Sequence, residues 1–320
     1  MNVLITTPID PEARSLLAQH ATVETLDVFN RQTLMERIPE ADILLVRLGR
    51  ATRENIDREI IDRAARLKLI ARHGAGYESV DVAYATQKKI PVTYTAGSNA
   101  ISVAEYTFGL LLLLARRYVA IREAVRNDEP SWVGLNGFEL YGKVIGIIGL
   151  GNIGREVAKI ARALGMQVLA YHPRPSAERM QGLGITFVNL DRLLQESDVV
   201  SIHAALTPET EKLIGASEIA LMKPAAVLLN TARGKIIDET ALIDALQNKR
   251  IAAAGLDVVI DDPVKKGHPL LNLDNAFVMP HRGSKTPESQ KRTARWTVED
   301  ILRVVKGERP LRLVNPEVYD

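Results

Sequence analysis

The sequence predicts an α/β fold in two units, each a parallel sheet covered by helices. Three observations lead there. Short β-rich runs alternate with helical apolar spacing along almost the whole chain. The length of 320 residues is about twice the ~150 of one domain. A glycine-rich turn stands where a buried strand passes into a helix.

From the N-terminus, Val3-Leu4-Ile5-Thr6 reads as a first strand. Only three consecutive apolar residues precede polar ones and no basic region leads them, unlike a secretory signal. Further strands are expected at 42–47, 69–72 and 91–94, with helical stretches such as 12–19 and 55–65 between them, which makes one small α/β unit. Residues 99–117 carry a long helical pattern. Its most apolar part, 108–115, is about a third of the ~20 residues that cross a bilayer and meets Arg116-Arg117 at once, so it reads as a buried helix and not an anchor. The polar stretch 127–136 separates it from a second series of strands at 144–148, 167–171, 199–203, 227–230, 252–256 and 276–279. Six strands with helical segments between nearly all of them suit a doubly wound nucleotide fold. After Pro287 a helix-like run reaches residue 305 and ends in Gly307-Glu308-Arg309-Pro310. It is too short to be a domain and is expected to pack back onto the first unit.

Composition narrows the function classes. With 46% hydrophobic and 25% charged residues, disorder, collagen and coiled coil are out. Lys plus Arg at 41 against Asp plus Glu at 39 leaves a formal charge of +2, too small to steer nucleic acid or an anionic membrane. Neither is expected as a partner. No cysteine is present, so disulfides, zinc thiolates and thiol nucleophiles are excluded, and a cytoplasmic protein is expected. His20, His73 and His268 have no metal-ligand spacing and there is no HExxH, so no metal site is expected.

The glycine turn is Gly149-Leu150-Gly151-Asn152-Ile153-Gly154, a GxGxxG between the strand 144–148 and the helical run 155–164. Gly149 permits the tight turn, Gly151 lets backbone amides approach a pyrophosphate, and Gly154 allows close packing of helix on strand. The helix N-terminus then presents free N–H groups and a partial positive charge to the phosphates. A glycine turn without ligand is the plainer reading; the strand-turn-helix context favours a dinucleotide. The fingerprint also asks for an acid about 20 residues on, to bind a ribose 2′-hydroxyl. Here the second strand ends in His172-Pro173-Arg174 instead. His172 removes the carboxylate that repels a 2′-phosphate and Arg174 offers donors to one, so NADP is expected over NAD, with NAD as the alternative. Arg179 is a further candidate, while Glu178 and the flanking Pro173 and Pro175 argue against this pocket.

Three more segments stand at ends of expected strands, where ligands bind in open α/β sheets. They are Asn230-Thr231-Ala232-Arg233-Gly234, then Gly255-Leu256-Asp257 with Asp262-Pro263 beyond it, and Pro280-His281-Arg282-Gly283-Ser284. Together they supply what reduction of a 2-oxo acid needs: a guanidinium for the carboxylate and carbonyl, and an imidazolium to protonate the oxygen as hydride arrives. A carboxylate beside the imidazole would tune it. Each residue also has a bland reading. Arg233 alone suits a surface ion pair, His281 a packed histidine, His203 a local hydrogen bond and Asp262 a solvated turn.

In these residues and in further blocks the chain resembles the D-isomer-specific 2-hydroxyacid dehydrogenases along essentially its whole length. The resemblance is carried by Arg72-His73-Gly74-Ala75-Gly76-Tyr77, Asn99-Ala100-Ile101-Ser102-Val103-Ala104-Glu105, the glycine turn, and Ser197-Asp198-Val199-Val200-Ser201-Ile202-His203. It continues through Leu221-Met222-Lys223-Pro224, the block from Asn230 to Gly234, Gly255-Leu256-Asp257-Val258, Pro280-His281 and the closing Gly307-Glu308-Arg309-Pro310. It implies a Rossmann-type dinucleotide domain, 99–286, inserted into a smaller flavodoxin-like substrate domain built from 1–98 and 287–320, with the active site in the cleft. By position Arg233 resembles the substrate-binding arginine and His281 the general acid/base, while backbone amides of Ala75 and Gly76 would hold the substrate carboxylate. The implied cofactor set is Gly149, Gly151, Asn152, Ile153, Gly154, His172, Arg174, His203, Thr231, Ala232, Asp257 and Ser284. The resemblance also implies a homodimer contacting through the cofactor domain.

Departures from the family pattern matter too. Five residues beyond Asp257, where the family has a glutamate, stands Asp262, one methylene shorter, which predicts a longer or water-mediated pair with His281. Ala205 replaces a common proline, and Arg282 follows His281 where small or apolar residues are usual. Tyr77 and the segment around Ser98 and Asn99 are expected to shape the substrate's side-chain pocket. The leading function is an NAD(P)-dependent oxidoreductase acting on a 2-oxo acid or D-2-hydroxy acid. The alternative is a non-catalytic dinucleotide sensor on the same fold.

Overall fold

The computed structural model describes residues 1–47, 55–172 and 184–320. The chain falls into two compact units, Met1–Asn99 with Lys285–Asp320, and Ala100–Ser284.

The first unit runs β1 (Asn2–Ile5), α1 (Pro11–Ala18), β2 (Thr22–Thr25), α2 (Arg31–Arg37), β3 (Ile43–Val46), α3 (Arg58–Arg63), β4 (Leu69–Arg72), α4 (Val82–Gln87) and β5 (Val92–Thr93). Four of its helices start on an acid or amide whose side chain accepts an otherwise orphaned N–H. Asp10 takes that of Ala13, Asn30 that of Thr33, Asp57 that of Ile60 and Asp81 that of Tyr84. The Asp57 cap explains why the helix expected over 55–65 begins only at Arg58. Strand β2 was not foreseen. It lies at the sheet edge with alternating exposed and half-buried residues, and its sequence Thr-Val-Glu-Thr carries one apolar side chain. All pairings are parallel and the order is β2-β1-β3-β4-β5, the flavodoxin-like arrangement.

The second unit runs α5 (Ala100–Ala115), α6 (Tyr118–Arg126), β6 (Val144–Ile148), α7 (Asn152–Ala163), β7 (Gln167–Tyr171), β8 (Thr186–Phe187), α8 (Leu190–Glu196), β9 (Val199–Ile202), α9 (Ala216–Leu221), β10 (Val227–Asn230), α10 (Glu239–Gln247), β11 (Ala253–Leu256) and β12 (Ala276–Val278). Arg117, in the left-handed region at φ 53°, separates α5 from α6. Helix α6 was not anticipated. Strand order is β12-β11-β10-β9-β6-β7-β8, so the chain starts at the centre, winds one way through β7 and β8, and returns to β9 on the other side of β6. Every pairing is parallel, and the strands expected from sequence gain a short seventh, β8. Central strands of such a sheet are apolar on both faces. Accordingly Ile145, Ile147, Val199, Val227 and Leu229 enter one buried cluster, and the alternating Ile148, Val200, Ile202 and Leu228 another.

The chain ends in the first unit with α11 (Pro287–Val305), whose Ala294, Val298 and Ile301 pack with Val3, Ile5, Ile43 and Leu69. Among the described residues no helix is long and apolar enough to cross a membrane.

Candidate active site

In a doubly wound sheet the crevice for a ligand opens at the carboxyl ends of the strands, beside the point where strand order reverses. Here that point lies between β6 and β9, and the polar segments picked out in the sequence all follow strands of this sheet.

Gly149 follows β6 directly. Its N–H donates to Tyr171 O on β7 at 2.8 Å and its φ is +96°, a left-handed conformation that a Cβ would strain. A Cβ here would also run into the backbone of Ala204. Gly154, on the first turn of α7, lies against Gly149 O so closely that no side chain fits. Gly151 is different: it is the N-cap of α7, no side chain caps that helix, and nothing lies within 4 Å of where a Cβ would stand. Asn152 and Ile153 form the first turn. A 12-residue helix thus points uncapped N–H groups into open space, and these residues fit a nucleotide's pyrophosphate. At the end of β7, His172 is the last described residue before the stretch 173–183; Arg174 and Arg179 lie outside the described residues.

Asn230 ends β10 and shapes the turn after it. Its Oδ1 accepts the Ala232 N–H at 3.0 Å and its Nδ2 donates to Arg233 O at 2.9 Å. Arg233, half-buried, donates from a guanidinium nitrogen to Ala232 O at 2.8 Å. Thr231 is buried and meets Thr107 of α5, hydroxyl to hydroxyl, at 3.1 Å, and His203 Nδ1 at 3.4 Å. His203 Nε2 in turn meets Ser201 Oγ at 2.8 Å. Burial pushes the His203 pKa down to about 3, so the ring is neutral. Sequence reading named His203 and Thr231 for the cofactor but missed Thr107, which stands in no motif, and gave no role to Ser201, which stands in the matching block 197–203.

Asp257 follows β11 directly and is 1% exposed. Burial raises its pKa, opposed by the N–H groups of Arg282 at 2.6 Å and Gly283 at 2.8 Å, which its two carboxylate oxygens accept. This grip fixes the turn after β12. Within that turn His281 takes a left-handed backbone, φ 55°, which is uncommon outside glycine. Ser284 follows in the same segment.

His281 Nδ1 meets Asp262 Oδ2 directly in a hydrogen bond. This corrects the expectation of a longer or water-mediated pair: the loop after β11 carries the shorter carboxylate far enough to touch the ring. A neutral imidazole bonded this way carries its proton on Nδ1 and leaves Nε2 free to exchange one. Asp262 Oδ1 is buried and has no hydrogen-bond partner among the described residues.

In the first unit, Ala75 and Gly76 follow β4. Gly74 O accepts the Thr95 N–H at 2.9 Å, which holds the start of their loop, and their own N–H groups enter no hydrogen bond among the described residues. Tyr77 is 40% exposed and stacks edge-on against Tyr94, ring centroids 5.6 Å apart. Ser98 is buried, with its hydroxyl 2.8 Å from that of Thr293.

Residues 108–283 match the family model of the D-isomer specific 2-hydroxyacid dehydrogenase NAD-binding domain. A D-3-phosphoglycerate dehydrogenase of Methanocaldococcus jannaschii is 39% identical over 98% of this chain, which spans 59% of that longer relative. A glyoxylate reductase of Aeropyrum pernix is 39% identical over 99% of this chain and 96% of its own length. Among solved structures, a glyoxylate reductase from Paecilomyes thermophila superposes with a TM-score of 0.88 at 31% identity, over 99% of this chain and 98% of that one. The glycine turn, the two sheets and the paired histidine and carboxylate are therefore features of a chain that belongs to the D-isomer-specific 2-hydroxyacid dehydrogenases.

Proposed function

We propose that this dehydrogenase works as a reductase of 2-oxo acids, with His281 as its proton donor and Arg233 as its substrate clamp. The observation that carries the reading is the direct His281–Asp262 pair at the carboxyl edge of a dinucleotide-type sheet. Reduction adds a hydride to the carbonyl carbon and a proton to its oxygen. Bound NADH or NADPH supplies the hydride, leaving NAD or NADP. The proton leaves Nε2 of His281, and Asp262 stabilises the imidazolium that precedes the transfer. Arg233 offers a two-pronged donor to the substrate carboxylate and carbonyl, and the backbone N–H groups of Ala75 and Gly76, in the first unit, are the candidate donors to the substrate carboxylate. Oxidation of the D-2-hydroxy acid runs the same steps backwards.

The test is oxidation of NADH and NADPH with glyoxylate, hydroxypyruvate, pyruvate and phenylpyruvate. Turnover of one or more supports the reading. If the protein binds dinucleotide and turns over none, the regulatory alternative takes its place; no observation favours it now.

NADPH is the preferred cofactor on this reading. His172 at the β7 tip leaves the ribose 2′-position without a repelling carboxylate, and Arg174 supplies a cation to a 2′-phosphate. A charge-assisted contact of that kind is worth about 1.5 to 3 kcal/mol, or roughly ten- to a hundredfold in preference. A kcat/KM that favours NADH, or an NADPH preference that survives Arg174→Ala, defeats it.

We also read the protein as a cytoplasmic homodimer formed through the second unit. That unit exposes Tyr118, Val119 and Val125 on α6, then Trp132, Val133 and Tyr141, the last 80% exposed, an apolar set that a partner copy would cover. Light scattering that gives only monomer mass removes the dimer.

A further inference from the structure

Asp262 is held from the side-chain end by one contact, its Oδ2 on His281 Nδ1, because Oδ1 has no partner among the described residues. Its position therefore depends on the backbone that carries it. Residues 258–267 contain no helix or strand, and among the described residues two hydrogen bonds fix their backbone. One is at Lys265 O, which accepts the His268 N–H at 3.2 Å. The other lies two residues before Asp262: the Ile260 N–H donates to Glu239 Oε2 at 3.0 Å. Glu239 opens α10, and its second oxygen, Oε1, is 3.1 Å from His268 Nε2 at the far end of the same loop. Both side chains are largely buried, 18% and 11% exposed.

The hydrogen-bond roles are settled by the other ring nitrogen. His268 Nδ1 faces the Leu270 N–H at 3.3 Å and must accept from it. The proton of the neutral ring then sits on Nε2 and donates to Glu239. One carboxylate so receives two donors, from the start and the end of the loop that bears Asp262. Gly234, next to Arg233, presses against the Val259–Ile260 peptide so closely that a Cβ has no room. The turn carrying Arg233 and the loop carrying Asp262 thus share one anchored contact.

From this geometry we infer that Glu239 is a positioning residue for the acid/base pair, clasping the 258–268 loop by Ile260 and His268 so that the short Asp262 side chain reaches His281. The inference rests on the proposed role of His281 and Asp262. Glu239 itself touches neither substrate nor cofactor.

The experiment compares Glu239→Gln, His268→Leu and His268→Gln with Asp262→Asn, reading kcat for 2-oxo acid reduction against pH, the Kd of NADPH, and the melting temperature. Glutamine is nearly isosteric with glutamate but meets two donors with one acceptor and an NH2 group. Misplacing a reacting partner by about 1 Å costs on the order of a hundredfold, and partial loosening of the loop should cost on the order of tenfold in kcat. The basic limb of the profile should move to lower pH, as is expected of Asp262→Asn, while the NADPH Kd stays within about twofold. His268→Leu should behave likewise. His268→Gln keeps a donor for Glu239 and an acceptor for Leu270 N–H, and should restore most of the rate. If Glu239→Gln does not fold, the two His268 variants carry the comparison. A normal profile in Glu239→Gln and His268→Leu, or a lower melting temperature with an unmoved basic limb, overturns the inference. If Asp262→Asn leaves the limb where it was, the acid/base reading falls and the inference with it; if only Asp262→Asn moves it, the inference alone falls.

Discussion

Arg233 is shaped by its neighbours before any ligand arrives. Asn230 holds the carbonyl of Arg233 and the N–H of Ala232, which settles the turn, and the guanidinium is half-buried against Ala232 O. In its proposed role Arg233 acts on substrate and not on the glycine turn. Arg233→Ala is therefore expected to bind NADPH as the native protein does, yet lose on the order of 2–5 kcal/mol of transition-state stabilisation in kcat/KM, the scale of truncating one partner of a buried charge pair. A kcat/KM within a few-fold of the native value removes Arg233 from that role. His281 and Asp262 make a second case at the same scale. Removing the carboxylate leaves the imidazolium without its partner, so in Asp262→Asn reduction should fail at lower pH than in the native enzyme. Asp262→Glu adds about 1.5 Å of reach where the contact is already direct, so the longer side chain should gain nothing in rate. A faster Asp262→Glu enzyme would show that the native pair is held too far apart.

Two glycines of one turn separate folding from binding at the scale of elements. Gly154 lies against Gly149 O, so Gly154→Ala must push α7 off β6 and should destabilise the unit by about 1–3 kcal/mol, as overpacking does. Gly151 faces open space, so Gly151→Ala should melt like the native protein and weaken NADPH binding by about tenfold or more, because its methyl stands where the phosphates approach. Equal losses of stability in both variants would place the second glycine in packing too. This turn was legible in the sequence because three spaced glycines between a strand and a helix leave few alternatives. The buried strands were legible for a similar reason: β6, β9 and β10 are largely apolar runs, broken only by Gly146, Ser201 and the terminal Asn230. Strand β2 and the two-residue β8 were not, since an edge strand needs no apolar pattern and a pair of residues has none. Helix α6 escaped because Arg117 breaks the helical run by a backbone reversal that no arginine announces. At the site, motifs marked the residues proposed to meet ligands, while residues packed against them or against their loops, such as Thr107, Glu239 and His268, lie far apart in the chain. Only folding brings them together.

Each unit buries a neutral histidine, and the whole molecule should answer to acid through both. In the first unit His73 is 9% exposed, with the Thr297 hydroxyl 3.4 Å from its Nδ1. Burial, reinforced by the nearby charges of Arg47, Arg72 and Lys285, pushes its pKa from 6.5 down to about 3. His203 in the second unit is likewise pushed from 6.5 down to about 3 by burial. For both groups the folded pKa lies below the unfolded one. Between those values the unfolded chain binds more protons, so their contribution is complete above pH 6.5 and is lost as pH falls towards 3. Each fully buried histidine should cost about 1.4 kcal/mol of stability per pH unit in that window. His203 retains some exposed surface, so its share is the smaller. Lowered carboxylates act later: Asp57, bonded to Arg31, and Asp238, accepting from Ala241 N–H, lose their contribution only as pH falls below the ordinary 3.8. In the window from pH 6.5 to 3.8 the two histidines therefore set the downward slope, opposed by Asp257, whose carboxyl, raised by burial, takes up its proton earlier in the folded chain than in the unfolded one. Urea midpoints measured across this window should fall steeply in the native protein, less steeply in His73→Asn, and least in His73→Asn combined with His203→Asn. A flat native profile, or a slope that both substitutions leave unchanged, would mean that these rings titrate in the folded chain much as they do in the unfolded one, and that acid enters the molecule by another route.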